Sequence, residues 1–367
     1  MKTLFTTIVL TLLGINALMS QTEKFVQFNG KNREYLEYIP NVYNGSVAVP
    51  IILCLHGLGD TKENFFNIGM NYIADTANFI LLFPEALDDT IMGTSTGTAW
   101  NSGASYSIYN LNPDIDDVGF LTYIIEQTKA LYNIDESRIY VMGFSMGGFM
   151  TNRLACEMPG YFAAGVSISG TIGNSLNCNP EYPIPMCHMH GTNDQTVEYT
   201  NNLYGNDAEE LVEYWRNYNQ CDATPIITNL PDIAADGRTV THYLYPNGFS
   251  NCSVEFYKIN NGEHDWMYLP TYDISYSFEA WRFFRNKLNS NTSINKIENS
   301  QSIIIYPNPC SHTLNIEGKQ PSDVVRIYNV KGQEILKSLE NNIDVRALEK
   351  GIYFVKVRTL TQTIYFE

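Results

Sequence analysis

Residues 138–160, "RIYVMGFSMGGFMTNRLACEMPG", constrain the fold more than any other segment. A run typical of a buried strand ends in Gly-Phe-Ser-Met-Gly-Gly, and a helical pattern follows without a gap. A serine at such a sharp strand-to-helix turn needs minimal neighbours, which Gly143 and Gly147 supply. The following helix would point free N–H groups at Ser145. The position of the G-x-S-x-G motif, which is weak when taken alone, therefore makes Ser145 a candidate nucleophile.

Further apolar runs alternate with helical patterns along the chain. "VPIILCLHG" and "FILLFPE" are continuously apolar, which is typical of strands buried on both faces. Alternating runs on either side of Asn29-Gly30 predict an antiparallel hairpin before them. "DDVGFLTYIIEQTKALYNI" predicts an amphipathic helix capped by Asp116 or Asp117. The pattern predicts an α/β fold with a mostly parallel sheet flanked by helices.

The residue types and their periodicity change along the chain. Residues 1–20 combine one lysine, a short apolar run and small residues, which is typical of a signal peptide. Residues 21–288 form the predicted catalytic domain, and its segment 85–118 is a long polar loop of the kind that is usually functional. Residues 289–301 are polar and without periodicity, and we interpret them as a linker. Short alternating strands over residues 302–367 predict a small all-β sandwich.

The charge and composition of the chain argue against several classes of binding partner. The net charge is −16, which argues against a nucleic-acid or anionic-membrane partner. Beyond the signal peptide no run reaches the length of a membrane-spanning helix. His188 and His190 are spaced for one strand face, but no third ligand follows at a suitable spacing. We therefore expect neither a metal nor another cofactor.

The chain carries seven cysteines, an odd number that leaves at least one without an intramolecular partner. None has C-x-x-C spacing, which argues against zinc and redox motifs. Export would make disulfides plausible.

A nucleophilic serine needs a histidine base and an acid that orients it. In an α/β-hydrolase these follow in the chain order serine, acid, histidine. His264 lies in the loop "NNGEHDWMYL" before the last predicted helix, where an imidazole is reachable. Asp194 follows a strand end in "HGTNDQTVEY", where catalytic groups cluster. The competing acids Asp116 and Asp117 fit helix capping better, and Asp265 adjoins the histidine too closely.

The predicted oxyanion hole combines two backbone donors. One is the N–H of Met146, directly after the nucleophile, and the other is the N–H of Leu58 in "CLHGLGDT". We expect His56 to support this turn rather than to act as a base.

Six segments resemble secreted polyhydroxybutyrate-depolymerase/feruloyl-esterase-like hydrolases over residues 24–288. In chain order they are "LHGLGDTKENF", "TAWNSG", "DDVGFL", "GFSMGGFMTNRLACEMPGYFAAGVSISG", "HGTNDQTVEY" and "NGEHDW". The resemblance implies an α/β-hydrolase fold with the roles already given to Ser145, Asp194 and His264. It also implies that Trp100 lines the substrate cleft and that Cys221 pairs with Cys252. We expect Trp266 to bind substrate as well. The chain departs from the family pattern at Glu198 and around Glu263.

The C-terminal "YPNPCSHTLNI", "VRIYNVKGQEI" and "LEKGIYFVKV" resemble the type A sorting domain of the type nine secretion system. That resemblance implies export to the outside or the surface of the cell through the secretion machinery. A glycan-binding sandwich is the alternative.

Together these features predict a secreted serine carboxylesterase that hydrolyses feruloyl or acetyl esters on polysaccharide. A poly(3-hydroxybutyrate)-type polyester depolymerase is the first alternative. A non-catalytic surface-binding protein on a hydrolase scaffold is an alternative of another class. A peptidase of the same fold is less favoured because the chain has no additional propeller or large lid domain.

Overall fold

The computed structural model describes residues 21–91, 94–106, 109–289, 304–307, 310–319, 323–329, 334–348, 350–357 and 360–366. The chain divides into two compact units, Met1–Ser293 and Ile294–Glu367. The predicted signal peptide and nearly all of the predicted linker lie outside the described residues, so those domain boundaries stay predictions.

The first unit contains a ten-stranded sheet and two small hairpins. Its strands are β1 Gln21–Phe28, β2 Lys31–Tyr38, β3 Val49–Leu55, β4 Ile80–Pro84, β5 Leu87–Ile91, β6 Thr94–Ala99, β7 Ser105–Tyr106, β8 Tyr109–Asn110, β9 Ile134–Phe144, β10 Ala164–Ile168, β11 Met186–Gly191, β12 Ile226–Asn229, β13 Thr239–Tyr245 and β14 Val254–Asn260. The large sheet has the order β1-β2-β4-β3-β9-β10-β11-β14-β13-β12. Strands β4, β3, β9, β10, β11 and β14 run parallel, and antiparallel strands extend both edges. This confirms the predicted α/β fold class.

Six α-helices cover the two faces of the large sheet in the described part of this unit. They are α1 Lys62–Phe66, α2 Met70–Ala77, α3 Asp117–Leu131, α4 Met146–Glu157, α5 Ala208–Tyr218 and α6 Tyr276–Phe284. On one face Phe120, Met150 and Trp215 bring α3, α4 and α5 into a single core cluster. On the other face Met70 and Phe283 bring α2 and α6 into a second. Because strands β3, β4, β10 and β11 are buried on both faces, their apolar runs are continuous.

The start of α3 separates the two aspartates that the sequence left as alternative caps. Asp116 is the N-cap, and its carboxylate accepts the Gly119 N–H at 2.8 Å. Asp117 instead points inward, where it pairs with the buried Arg33 at 2.7 Å. Its other oxygen accepts the backbone N–H of Asn101, also at 2.7 Å. Asp117 therefore ties the hairpin β1–β2 and the long loop to the helix.

The second unit is built entirely of strands in its described residues. They are β15 Ile304–Tyr306, β16 Thr313–Glu317, β17 Val325–Asn329, β18 Glu334–Ser338, β19 Asn342–Asp344, β20 Gly351–Val357 and β21 Leu360–Phe366. One sheet has the order β15-β16-β19 and the other the order β18-β17-β20-β21. Leu314 and Ile316 of the first sheet share a core cluster with Val325 and Val355 of the second. The predicted all-β sandwich is thus confirmed.

The disulfide of the structure joins Cys156, near the end of α4, to Cys178 in the loop between β10 and β11. The predicted pair is wrong, because Cys221 and Cys252 are both reduced and buried. The Cys221 sulfur lies 4.0 Å from the Cys252 carbonyl oxygen, so the two residues are neighbours whose thiols are not joined. The expectation that the chain carries a disulfide is confirmed for a different pair.

No α-helix within the described residues is both long and apolar enough to cross a bilayer.

Candidate active site

Ser145 occupies the turn between the central strand β9 and helix α4. Its backbone has φ 55° and ψ −121°, a left-handed conformation that a non-glycine residue adopts only at a cost of about 1–3 kcal/mol. The turn is held in place because the Ser145 N–H donates to the Ile168 carbonyl at 2.8 Å. The side chain of Ser145 is consequently presented at the carboxyl end of the parallel strands.

The glycines around Ser145 are required by close backbone contacts. A Cβ on Gly143 would lie 2.1 Å from the Gly147 carbonyl oxygen, and one on Gly147 would lie 2.0 Å from the Leu55 carbonyl oxygen. Real Cβ atoms do not come so close to backbone oxygens. The glycines in the motif therefore let β9, α4 and β3 converge behind the serine, as a nucleophile elbow requires.

The structure brings Ser145, His264 and Asp194 into one hydrogen-bonded chain. The Ser145 Oγ lies 2.9 Å from His264 Nε2, and His264 Nδ1 lies 2.7 Å from Asp194 Oδ2. These residues are 119 and 70 positions apart in the sequence. Their convergence arises because β9, β11 and β14 are parallel and end at the same edge of the sheet.

Asp194 is held as a carboxylate by the groups around it. Its side chain is fully buried, and Oδ1 accepts the backbone N–H groups of Thr196 and Val197 at 2.9 Å each. Burial by itself raises the pKa of Asp194, but hydrogen bonds from His190 and His264 outweigh it and hold the pKa below its ordinary value. The competing acid Asp265 is instead paired with Arg238 at 2.6 Å.

The two backbone groups predicted as oxyanion donors lie beside Ser145. Both Leu58 and Met146 line the pocket that contains Ser145 and His264. A Cβ added to Gly57 would lie 3.3 Å from the Ser145 Cβ, so the chain before Leu58 packs directly against the nucleophile. Within the described residues neither of the two N–H groups donates to a protein acceptor. This arrangement suits donors that await a ligand oxygen.

His56 is a buried support of this turn, as expected from the sequence. Its Nε2 accepts the Ala86 N–H at 3.1 Å, so the proton of the neutral ring is on Nδ1, which donates to the Gly57 carbonyl at 2.8 Å. Burial lowers the pKa of His56, which favours this neutral form.

Trp100 lies beneath the pocket instead of lining it, which differs from the expectation based on the resemblance. The indole is fully buried, and its Nε1 donates to the His56 carbonyl at 2.9 Å. The backbone N–H of Trp100 contacts the Met146 sulfur at 3.2 Å. Trp100 therefore bridges the two segments that carry Leu58 and Met146.

Trp266 also stands behind the pocket. Its ring packs edge-on against Phe65, Phe144 and Tyr276, and Phe144 in turn contacts the ring of His264 at 4.8 Å. Trp266 is thus separated from the pocket by Phe144, and it is not among the lining residues.

The pocket above Ser145 has a volume of about 340 Å³. Its walls are mostly apolar side chains, and the sequence did not single out the following ones: Ala104, Leu111, Phe149, Val197 and Tyr204. Ala104 and Leu111 belong to the long loop 85–118, whose length and polarity were the available signal. The others come from α4 and from the loop after β11, where nothing in the sequence marked them.

His188 and His190 do not form a metal pair. They are hydrogen-bonded to each other at 3.0 Å, and His190 approaches Asp194. His242 pairs with Glu255 at 2.8 Å, away from Ser145. In the part of the chain that the structure describes, no group of three or more His, Cys, Asp or Glu residues is arranged to hold a metal ion.

The two units of the chain match different families of known proteins. Residues 42–224 match a family model described as phospholipase/carboxylesterase, and residues 304–365 match one described as a secretion system C-terminal sorting domain. Feruloyl esterase B of Piromyces equi is 25% identical over 63% of this chain and 42% of its own length. Poly(3-hydroxyalkanoate) depolymerase C of Paucimonas lemoignei is 24% identical over 64% of this chain and 59% of its own. The chain thus spans less than two thirds of each of these relatives.

Among solved structures, an acetyl xylan esterase from Aspergillus awamori superposes with a TM-score of 0.50 at 17% identity, covering 72% of this chain and 99% of that one. The fold and the elbow define the first unit as an α/β-hydrolase. Its residues 42–224 are related to the phospholipase/carboxylesterase family, and residues 304–365 are related to the secretion sorting domains. Both resemblances stated from the sequence are confirmed.

Proposed function

We propose that this protein is a secreted carboxylesterase whose catalytic residues are Ser145, His264 and Asp194. The observation that carries the proposal is the hydrogen-bonded chain from Ser145 Oγ through His264 to Asp194 Oδ2, at 2.9 and 2.7 Å. It lies at a pocket, beside two unoccupied backbone N–H donors. A protein that only binds its ligand has no need of this combination.

Acylation begins with the neutral His264. Its Nδ1–H donates to Asp194, which leaves Nε2 free to accept the Ser145 hydroxyl proton as Oγ attacks the ester carbonyl. The resulting oxyanion accepts hydrogen bonds from the N–H groups of Leu58 and Met146. His264, now an imidazolium stabilised by Asp194, then protonates the leaving alcohol.

Deacylation uses the same groups in the same order. Water takes the place of the alcohol and gives its proton to His264 Nε2 while its oxygen attacks the acyl-enzyme. Collapse of the second tetrahedral intermediate returns the proton to Ser145 and releases the carboxylic acid. No cofactor takes part in these steps.

The shape of the pocket favours an acyl group larger than acetyl. Leu111, Phe149, Val197 and Tyr204 surround about 340 Å³, and an acetyl group would leave most of that apolar space unfilled. A feruloyl group presents an aromatic ring that would bury against these side chains. Feruloyl esters on polysaccharide are therefore the first choice of substrate, with acetyl esters second.

A polyester of 3-hydroxyalkanoates is the alternative substrate. The similarity to a poly(3-hydroxyalkanoate) depolymerase supports it, and a short hydroxyacyl unit would also find an apolar wall in this pocket. The chemistry at Ser145 is the same for both substrates.

Sequence features at both ends of the chain support the proposal that the protein is exported. The match of residues 304–365 to a secretion sorting domain supports delivery to the cell surface or beyond. The apolar run in residues 1–20 suits a signal peptide that takes the chain across the first membrane.

The test is hydrolysis of methyl ferulate, acetylated xylan and a 3-hydroxybutyrate trimer by the mature protein, with Ser145→Ala as control. We expect turnover that depends on Ser145, with the highest kcat/KM on methyl ferulate. A preference for the trimer would replace feruloyl esters by polyester as the substrate. Absence of Ser145-dependent turnover on all three would contradict the proposal and favour a binding protein.

A further inference from the structure

A chain of buried polar side chains continues behind Asp194, away from the pocket. Ser167 lies on β10, and His188 and His190 lie two positions apart on the neighbouring β11. The Ser167 Oγ is 2.9 Å from His188 Nδ1, and His188 Nε2 is 3.0 Å from His190 Nδ1. His190 Nε2 is 2.8 Å from the Val197 carbonyl oxygen and 3.3 Å from Asp194 Oδ2. All three side chains are buried.

The acceptors at one end of this chain fix its protons. The Val197 carbonyl and the Asp194 carboxylate only accept, so a His190 ring with a single proton must carry it on Nε2. His190 Nδ1 is then an acceptor, and His188 must donate to it from Nε2. His188 Nδ1 accepts in turn from the Ser167 hydroxyl at 2.9 Å. The Ser167 backbone carbonyl lies 3.1 Å from the same nitrogen and competes for a proton there, but the charged carboxylate of Asp194 at the other end outweighs it. The side-chain hydrogen bonds therefore point toward Asp194.

The surroundings keep the His188 imidazole neutral. Burial, and then the proximity of His190, lower the pKa of His188 well below its ordinary value. Phe256 stacks on His188 with ring centroids 5.8 Å apart, and Tyr199 packs edge-on against His190 at 5.7 Å. Of the titratable groups around the chain, Tyr199 has its hydroxyl turned to Glu209, and Lys258 lies over the Tyr199 ring. The titratable groups that face Asp194 itself are therefore the two histidines, His190 and His264.

We propose that His190 is a positioning residue for Asp194, and that the hydrogen bond from His188, itself held by Ser167, keeps the His190 ring in the orientation that donates. This inference rests on the proposed esterase function. His190 and His264 share the same carboxylate oxygen, Oδ2, while Oδ1 is occupied by two backbone N–H groups. The carboxylate is thus fixed from three directions, and His264 meets it in a single orientation.

The arrangement also sets how strongly Asp194 stabilises the imidazolium that forms on His264 during catalysis. A carboxylate that also accepts a hydrogen bond from His190 stabilises the positive charge of protonated His264 less than a carboxylate that accepts only from His264. Without the His190 donor, Asp194 would hold the imidazolium form of His264 more strongly. The acid limb of the kcat/KM profile would consequently move to higher pH.

Two substitutions of His188, which touches neither Asp194 nor the pocket, separate this role from packing. His188→Gln keeps an amide that can donate to His190 and accept from Ser167, whereas His188→Leu removes the donor. His188→Leu should lower kcat about 10-fold with KM unchanged, and should move the acid limb of kcat/KM upward by about half a pH unit. His188→Gln should keep both values close to wild type. An unaltered pH profile in His188→Leu, with kcat unchanged, would overturn the proposal.

Separate control measurements distinguish a loss of folding from a loss of function. Thermal unfolding and the stoichiometry of Ser145 labelling by a fluorophosphonate give the folded, active fraction of each variant. ¹⁵N NMR of the histidine rings in the full chain reports the tautomers without any substrate. We expect protonated Nε2 on both His188 and His190, and a protonated Nδ1 on His190 would refute the inference. If wild type showed the expected tautomers but no Ser145-dependent turnover, the proposed function would be wrong, whereas the assigned directions of the hydrogen bonds would stand.

Discussion

Trp100 shows how one residue can serve a site from beneath it. Its indole N–H holds the carbonyl of His56, two positions before Leu58, while its own N–H contacts the side chain of Met146. The two proposed oxyanion donors are thereby held at a fixed separation. The residue contributes rigidity where the resemblance had implied contact with substrate.

Replacing Trp100 with Phe tests this reading. The His56 carbonyl would lose a buried donor, which costs about 1–3 kcal/mol of stability. Because the donor segments would loosen, kcat should fall about 10-fold, a fraction of the 10²–10³ lost when an oxyanion donor is removed. Steady-state kinetics with methyl ferulate and chemical unfolding measure the two effects. A loss of stability with unchanged kcat would mean that Trp100 only fills the core.

Glu85 is a second residue with unusual surroundings. Its Oε2 accepts the Lys62 backbone N–H at 2.8 Å, while Oε1 has no hydrogen-bond partner among the described residues. Burial, helped by the nearby Glu63 and Glu34, raises its pKa to about 7 although hydrogen bonding and the charge of Lys62 oppose the rise.

The raised pKa of Glu85 gives a pH dependence with a defined sign. Between its ordinary value of 4.5 and about 7, the folded state binds more protons at Glu85 than the unfolded state does. The contribution of Glu85 to the free energy of unfolding therefore falls as pH rises through this window. Glu85→Gln lacks this dependence, so its stability relative to wild type should increase with pH across the window. Urea unfolding of both proteins measures the difference, and a flat difference would contradict the assigned shift.

Among the elements, helix α4 connects the site to the rest of the first unit. Its N-terminus carries Ser145 and Met146, and its last turn carries Cys156, which is bonded to Cys178 in the loop 169–185. Tyr214 of α5 donates to the Cys178 carbonyl at 2.9 Å. The disulfide thus fastens the far end of the helix, away from the chemistry.

The double substitution Cys156→Ser/Cys178→Ser should separate stability from catalysis. Releasing this loop, whose cysteines have a sequence separation of 22, should lower the free energy of unfolding by about 3 kcal/mol. The kcat on methyl ferulate should stay unchanged, because the elbow is held by backbone contacts at the other end of α4. Unfolding with and without reductant, together with kinetics, gives both values. A large fall in kcat would show that the disulfide shapes the site.

The elements also show what the sequence could and could not predict. Continuous apolar runs predicted the central strands, and the glycines predicted the elbow, because both follow from local burial and close contacts. The convergence of Ser145, Asp194 and His264 followed from chain order and strand ends. Other features depend on contacts between distant segments, which no local pattern records. They are the orientation of Trp100, the walls of the pocket and the hydrogen-bonded chain through His188. The disulfide was missed because the pairing was taken from a resemblance.

The whole molecule consists of two units, each with a core of its own. Ser145, Asp194 and His264 all belong to the first unit. The pocket and the hydrogen-bonded chain from Ser167 to Asp194 belong to it as well. The second matches the family of secretion system C-terminal sorting domains over residues 304–365.

A chain that ends at Ser293 should therefore retain the esterase activity. We expect kcat/KM within about 2-fold of the full chain, because independent cores fold and function separately. The same truncation should abolish delivery to the cell surface in a host with the matching secretion system. Kinetics on the purified truncated protein and cell fractionation measure these outcomes. Loss of activity in a folded truncated protein would show that the second unit contributes to the site.

The most direct test of the central claim is active-site labelling with a fluorophosphonate, located by mass spectrometry on the full-length mature protein. Only a serine activated by a neighbouring base reacts rapidly. We expect one adduct, on Ser145, that is absent in Ser145→Ala and forms at least about 10³-fold more slowly in His264→Gln. An adduct on another serine, or equal labelling rates in wild type and His264→Gln, would contradict the assignment of Ser145, His264 and Asp194 as the catalytic residues.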